Sequence, residues 1–186
     1  MMGGLVFFWL IMLSGCASLS PASKPVALPA HPEFASFALN GRISIKHLET
    51  HQSAGLHWTH QAQSDEILLL TPLGQTAARV YRDDSNATLD DGAKHYQDAD
   101  AESLMQQVLG WHLPLNGLHY WVLGMADPEV PAQIERADNG QISVLHQDGW
   151  EVRFLRYADS LPARLQLSHE DFQMQLLIDG WEWNPQ

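Results

Sequence analysis

The chain has 186 residues, of which 45% are apolar, and 22 acidic against 10 basic side chains give it a formal net charge of -12. That is enough apolar material for the core of one ordinary domain, and enough negative charge to argue against binding to nucleic acid or electrostatic docking on anionic lipid. A single cysteine excludes a disulfide within the chain.

The first feature in chain order is the uncharged apolar run from Leu5 to Leu13, too short to span a bilayer as a mature helix. It leads directly into Leu13-Ser14-Gly15-Cys16. This is the pattern of a bacterial lipoprotein signal, in which small residues admit the signal peptidase and the cysteine thiol carries a diacylglycerol. Residues 1–15 therefore read as a signal peptide and Cys16 as the lipidation site. N-acyl and S-diacylglycerol groups on Cys16 are the only attached chemistry expected; no metal or other cofactor is. The competing reading, a buried cysteine after an apolar strand, fits poorly so near the terminus. Met1 to Gly4 lack the positive charge usual in export signals, which calls the position of the start methionine into question. Ala17 follows the cysteine where, as a general rule of this class, aspartate retains lipoproteins in the inner membrane. Alanine points to the outer membrane.

Residues 16–33 carry Pro21, Pro25, Pro29 and Pro32, which break any regular pairing, so the segment reads as a tether. At roughly 3.1 Å per residue in the extended limit it could hold a domain up to about 50 Å from its anchor. Residues 34–186 read as a single domain without internal repeats.

Most of that domain alternates with period two. In Phe37 to Lys46 the odd positions are apolar or glycine, and Ala54, Leu56 and Trp58 repeat the pattern. So do Trp150, Val152 and Phe154, then Phe172, Met174, Leu176 and Ile178. Asp91-Gly92, Asn139-Gly140, Asp148-Gly149 and, more weakly, Ser168 to Asp171 supply the turns. Between Leu70 and Gln75, Thr71-Pro72-Leu73-Gly74 fits a type I turn with Leu73 near its apex. Two readings of Leu73 stay open: the apolar run Ile67 to Leu70 continues one residue further, or Leu73 touches something outside the protein.

The middle of the chain changes period. Asp98 or Asp100 can cap a helix with Leu104, Met105, Val108 and Leu109 on one face and Gly110 at its end. A second helix is expected around Leu115 to Leu123, with Leu115, Leu118 and Val122 facing one way and Gly124 closing it. The fold expected is mainly β: a long hairpin sheet curled into a barrel or bent half-barrel, with a helical insertion near 99–123 as lid or plug over its mouth.

Catalytic and metal chemistry find little support. There is no Gly-x-Ser-x-Gly elbow, and the one cysteine is assigned to lipid, so the chain does not read as an enzyme. Of the ten histidines, His57 and His60 point to opposite strand faces, while His47 and His51 lie ~13 Å apart on one face. Neither pair chelates a zinc ion at ~2 Å bond lengths, so these read as surface histidines. Arg42, Arg79 and Arg153 could bind a polar linkage near a cavity mouth, but the alternation puts Arg42 and Arg153 on the outer face, which favours ordinary solvent residues; Asp83-Asp84, Asp90-Asp91 and Glu170-Asp171 read as loop charges. Tryptophans 58, 111, 121, 150, 181 and 183 suit a lipid cavity and ordinary core packing equally.

Five stretches together resemble the LolB family of outer-membrane lipoproteins. They are Phe37-Ala38-Leu39-Asn40-Gly41-Arg42-Ile43, Leu69-Leu70-Thr71-Pro72-Leu73-Gly74, Asp100-Ala101-Glu102, Leu113-Pro114-Leu115-Asn116-Gly117-Leu118 and Trp121-Val122-Leu123-Gly124. The resemblance covers nearly all of residues 34 to 183. It implies a half-open antiparallel β-barrel with a helical lid over an apolar cavity. It also implies a function: receiving triacylated lipoproteins from a LolA-like periplasmic carrier and inserting them into the inner leaflet of the outer membrane. Client lipoproteins, the carrier and the membrane are the implied partners, and the protein is expected to be a monomer. Candidate lining for the acyl chains is Ile43, Trp58, Leu69, Leu104, Val108, Trp121, Trp150 and Phe154. Leu73, flanked by Pro72 and Gly74, becomes the membrane-insertion tip, since a leucine in this loop is needed for insertion in the family. The competing function is an envelope lipoprotein that binds or senses a lipid without transferring it. A purely structural lipoprotein would need no cavity.

Overall fold

The computed structural model describes residues 36–185; the expected signal peptide, Cys16 and the tether of residues 16–33 lie outside the described residues. Six strands come first: β1 (Phe37–His47), β2 (Thr50–Gln61), β3 (Ser64–Leu70), β4 (Thr76–Arg82), β5 (Ala87–Asp90) and β6 (His95–Asp98). Helices α1 (Ala101–Leu109) and α2 (Leu115–Trp121) follow. Five strands complete the chain: β7 (Ala132–Arg136), β8 (Ile142–Gln147), β9 (Trp150–Ala158), β10 (Leu161–His169) and β11 (Phe172–Trp183). All eleven strands form one antiparallel sheet in the order β6-β5-β4-β3-β2-β1-β11-β10-β9-β8-β7. Two hairpin meanders are thus joined at a β1–β11 seam, and β6 and β7 are left as open edges.

The period-two reading accounts for the buried face. Ile43 and Ile45 of β1 are buried while Arg42, Ser44 and Lys46 are exposed, and Met174, Leu176 and Ile178 do the same from β11. Register slips between Asn40 and Gly41 at the seam. A Cβ at position 41 would collide with the Leu177 carbonyl oxygen, so this approach of two backbones needs glycine. All four expected turns join neighbouring strands, and Asp148 with Gly149 takes positive φ at both positions (51° and 77°), the primed geometry of a two-residue hairpin.

Asp100, rather than Asp98, caps α1: its carboxylate accepts from the Ser103 N–H at 2.7 Å, whereas Asp98 accepts from the Ala99 N–H just outside the helix. Gly110 closes α1 at φ 80°. The apolar stripe is narrower than expected. Leu104 and Met105 are buried, but Val108 and Leu109, in the last turn before Gly110 closes the helix, pack only partly against the core. In α2, Leu115, Leu118 and Trp121 point inward and Val122 continues the same face beyond the helix.

The core lies on one face of the sheet, between it and the helical segment. Asn116 of α2 reaches Arg82 on β4, and Trp121, five residues on, reaches Gln147 on β8. Seven strand spacings separate β4 from β8, roughly 34 Å in a flat sheet at ~4.8 Å each, while five helical residues advance only ~7.5 Å. The sheet therefore bends strongly around the helices. Antiparallel connectivity also sorts the hairpins. The β1–β2, β3–β4, β5–β6, β8–β9 and β10–β11 turns lie at one end, and Ser36 and Asn184, joined by a 3.2 Å backbone hydrogen bond, lie at the other.

Candidate functional site

The concave face is continuous and apolar. Ile43, Trp58, Leu69, Leu104, Trp121, Trp150 and Phe154 all belong to one buried cluster, with Val108 partly buried at its edge. Aromatic rings carry much of the packing: Phe37 meets Trp58 edge-on at 5.3 Å, and Trp121 lies 6.3 Å from Trp150. The helices occupy the space the sheet encloses. Gly117 leaves room for the Trp121 ring one turn further along α2, since a Cβ there would run into it.

Polar contacts fasten the helical segment to both meanders. On the first, the Trp111 indole N–H donates to Gln52 Oε1 on β2 at 3.1 Å. Arg82 on β4 donates to Asn116 Oδ1 at 2.7 Å, and His119 stacks on His60 at 4.8 Å. Arg82 is itself held by Asp65, a buried carboxylate that also accepts from Trp58 Nε1 at 2.7 Å and pairs with His60 Nδ1 at 2.8 Å. Burial pushes the Asp65 carboxyl up, but the His60 hydrogen bond and the Arg82 charge outweigh it and leave its pKa below the usual range. On the second meander, buried Gln147 accepts from the Trp121 indole and the Asp127 N–H. Its amide donates to the Asp127 and Val130 carbonyls. Among the described residues, no buried side-chain nitrogen or oxygen lacks a hydrogen-bond partner.

Sequence reasoning overlooked Asp65, Arg82, Asn116 and Gln147. A signal existed for two of them: Asp65 shares strand parity with Ile67 and Leu69, and Gln147 with Leu145. His60 departs from the surface reading. Its side chain is 13% exposed, packed between Phe37, His119 and Asp65, because its strand sits against α2. His57 Nδ1 pairs instead with Asn40 at 2.8 Å, and no group of three or more potential metal ligands occurs among the described residues. Arg42, Arg79 and Arg153 are exposed and paired with Asp179, Glu66 and Glu151. Burial depresses the pKa of His112 and His119, and it raises that of Glu102, with Asp100 adding to the rise.

At the hairpin end of the sheet, Thr71 to Gly74 form the expected turn, with the Gly74 N–H donating to the Thr71 carbonyl at 2.8 Å. Gly74 takes φ 78° and the Thr71 N–H donates to the Gln75 carbonyl, so the turn closes with a glycine bulge. Leu73 stands at its apex, 88% exposed. It does not continue the core.

Residues 35–181 match the family model described as outer membrane lipoprotein LolB. A relative named outer-membrane lipoprotein LolB from Nitrosomonas europaea is 35% identical over 188 residues, covering 93% of this chain and 89% of its own. One of the same name from Chromobacterium violaceum is 33% identical, covering 92% and 94%. Among solved structures, a LolA-superfamily protein from Nitrosomonas europaea has the same fold, with a TM-score of 0.53 at 8% identity over 84% of this chain and 89% of that one.

Proposed function

The chain belongs to the LolB family of outer-membrane lipoproteins, and from that premise we infer that it receives lipoproteins from a periplasmic carrier and inserts them into the outer membrane. The observation within the molecule that carries this reading is the continuous apolar face covered by a helical segment on polar fastenings. We read the bent sheet as a half-open barrel and the helices as its lid. Acyl chains would take the place α1 and α2 now fill.

The energetics favour such a device. Three acyl chains of about fifteen methylenes, at ~0.8 kcal/mol each, would cost on the order of 35 kcal/mol to expose to water. The client must pass from one apolar surface to another, and the bilayer is the final sink. This transfer needs no nucleotide and no covalent step by this chain. Processing before Cys16, lipidation there and a tether to residue 33 would place the domain on the periplasmic face of the membrane. Leu73, apolar and held out by a fixed turn, supports insertion over mere lipid sensing, which has no use for an apolar tip.

The test is transfer of a radiolabelled triacylated lipoprotein from its purified carrier, through this protein, into liposomes. Wild type should accept and release it, and Leu73→Glu should accept without releasing. Failure of both to accept overturns the reading.

A further inference from the structure

We propose that Leu48 is a second bilayer-contacting residue, so that the β1–β2 and β3–β4 hairpin tips form a two-point apolar contact with phospholipid. The proposal rests on the reading that Leu73 enters the membrane and adds a residue that reading does not use. Three observations converge on it. Leu48 is 63% exposed and Leu73 88%, ahead of every other exposed large apolar side chain among the described residues. Both sit on turns at the same end of the sheet, on successive hairpins of that end, about two strand spacings or ~10 Å apart. Leu48 also holds φ 52°, a left-handed conformation that favours glycine or asparagine and strains a bulky side chain. The other non-glycine residues at positive φ among the described residues are Asp148, Asp159, Glu170 and Asn184, all polar. Folding alone gives no reason for a leucine there.

The partner follows from the surroundings. The turns at this end carry Glu49, beside Leu48, and then Asp91, Asp148, Glu170 and Asp171 against the single base Lys94, so the rim is predominantly acidic and the two leucines stand out from it. Such a surface is repelled by anionic headgroups and fits a zwitterionic bilayer, entered by side chains at one sector of the rim. The family's place at the outer membrane keeps a bilayer within reach.

The test uses the full, lipidated chain in phosphatidylethanolamine–phosphatidylcholine vesicles. An environment-sensitive fluorophore is attached to a cysteine introduced at position 48, 73 or 134, and quenching by spin-labelled lipid is read. Positions 48 and 73 should be quenched and 134, an exposed isoleucine on edge strand β7, should not. Quenching at 73 alone overturns the role of Leu48 and leaves that of Leu73 intact; quenching at neither overturns the membrane reading of both tips. In the transfer assay, Leu48→Asn should lower delivery at least threefold while the melting temperature stays or rises, and Leu48→Met should restore delivery. A fall in melting temperature with Leu48→Asn, or unchanged delivery, overturns the proposal.

Discussion

Leu73 and Asp65 break the same rule in opposite directions, one an apolar side chain in water and the other a carboxylate in the core. Leu73 makes no contribution to packing, so Leu73→Glu should change unfolding free energy by within ~0.5 kcal/mol in urea titration while abolishing delivery to liposomes. Asp65 joins β2, β3 and β4 through Trp58, His60 and Arg82. Removing it takes away the carboxylate that neutralises Arg82 and leaves the Trp58 indole N–H unpaired in the core, and Asp65→Ala should cost about 3 kcal/mol by the same titration. Leu73 was legible in the sequence because turn chemistry fixes where the apex falls. Asp65 was not, because strand parity marks a side chain as inward but does not say which donors meet it there.

For the elements, the informative one is α2, whose apolar residues bind it to the core and whose polar residues decide how firmly it is held. Asn116→Ala removes a charge-assisted bond at the exposed margin, worth ~1 kcal/mol, without opening the core. Amide exchange over 113–123 should quicken relative to β1 and β11. Acidity should act in the same direction. His112 and His119 bind protons less tightly in the folded protein than in the unfolded chain. Their contribution is therefore complete above pH ~6.5 and is lost as pH falls through that range toward their depressed folded values. Glu102, raised, works oppositely, its contribution present below the usual carboxylate range and lost as pH rises. The charging of the two histidines should speed exchange over 113–123 as pH falls below ~6.5, and that acid-induced increase should be smaller in His119→Gln than in wild type. Both helices and the capped start of α1 could be read from period and cap residues. The edge strand β7 could not, because it is five residues long and wholly exposed, so the alternation of Ala132 and Ile134 with Gln133 and Glu135 is too brief to mark a buried face.

For the whole molecule, the turns bearing Leu48 and Leu73 lie at the end of the sheet opposite Ser36. On the proposed anchoring at Cys16, the residues before Ser36 must bridge at least the ~36 Å that the 11 residues of β1 span if those tips are to meet the same membrane. The twenty residues from Cys16 to Ala35 reach at most ~60 Å. Deleting twelve of them should impair delivery by the membrane-anchored protein and leave that of a Cys16→Ala soluble form in liposomes unchanged. Loss of delivery by the soluble form itself would give the anchor a role in transfer. Bent architecture was legible from the number of hairpins, but the filling of its interior was not. Alternation marks a buried face without saying whether helices or a ligand cover it.

The seam between β1 and β11 also governs how the chain can fold. Each meander is assembled from hairpins between neighbours in sequence, contacts that close in microseconds. The seam instead joins residues as far apart as Arg42 and Asp179, 137 positions along the chain, so it pays the largest loop-closure entropy and forms last. A chain that arrives N-terminus first cannot complete this sheet until its final strand appears. Until then the greasy interior has no second wall, and the nascent protein is itself in need of the shelter it will later give.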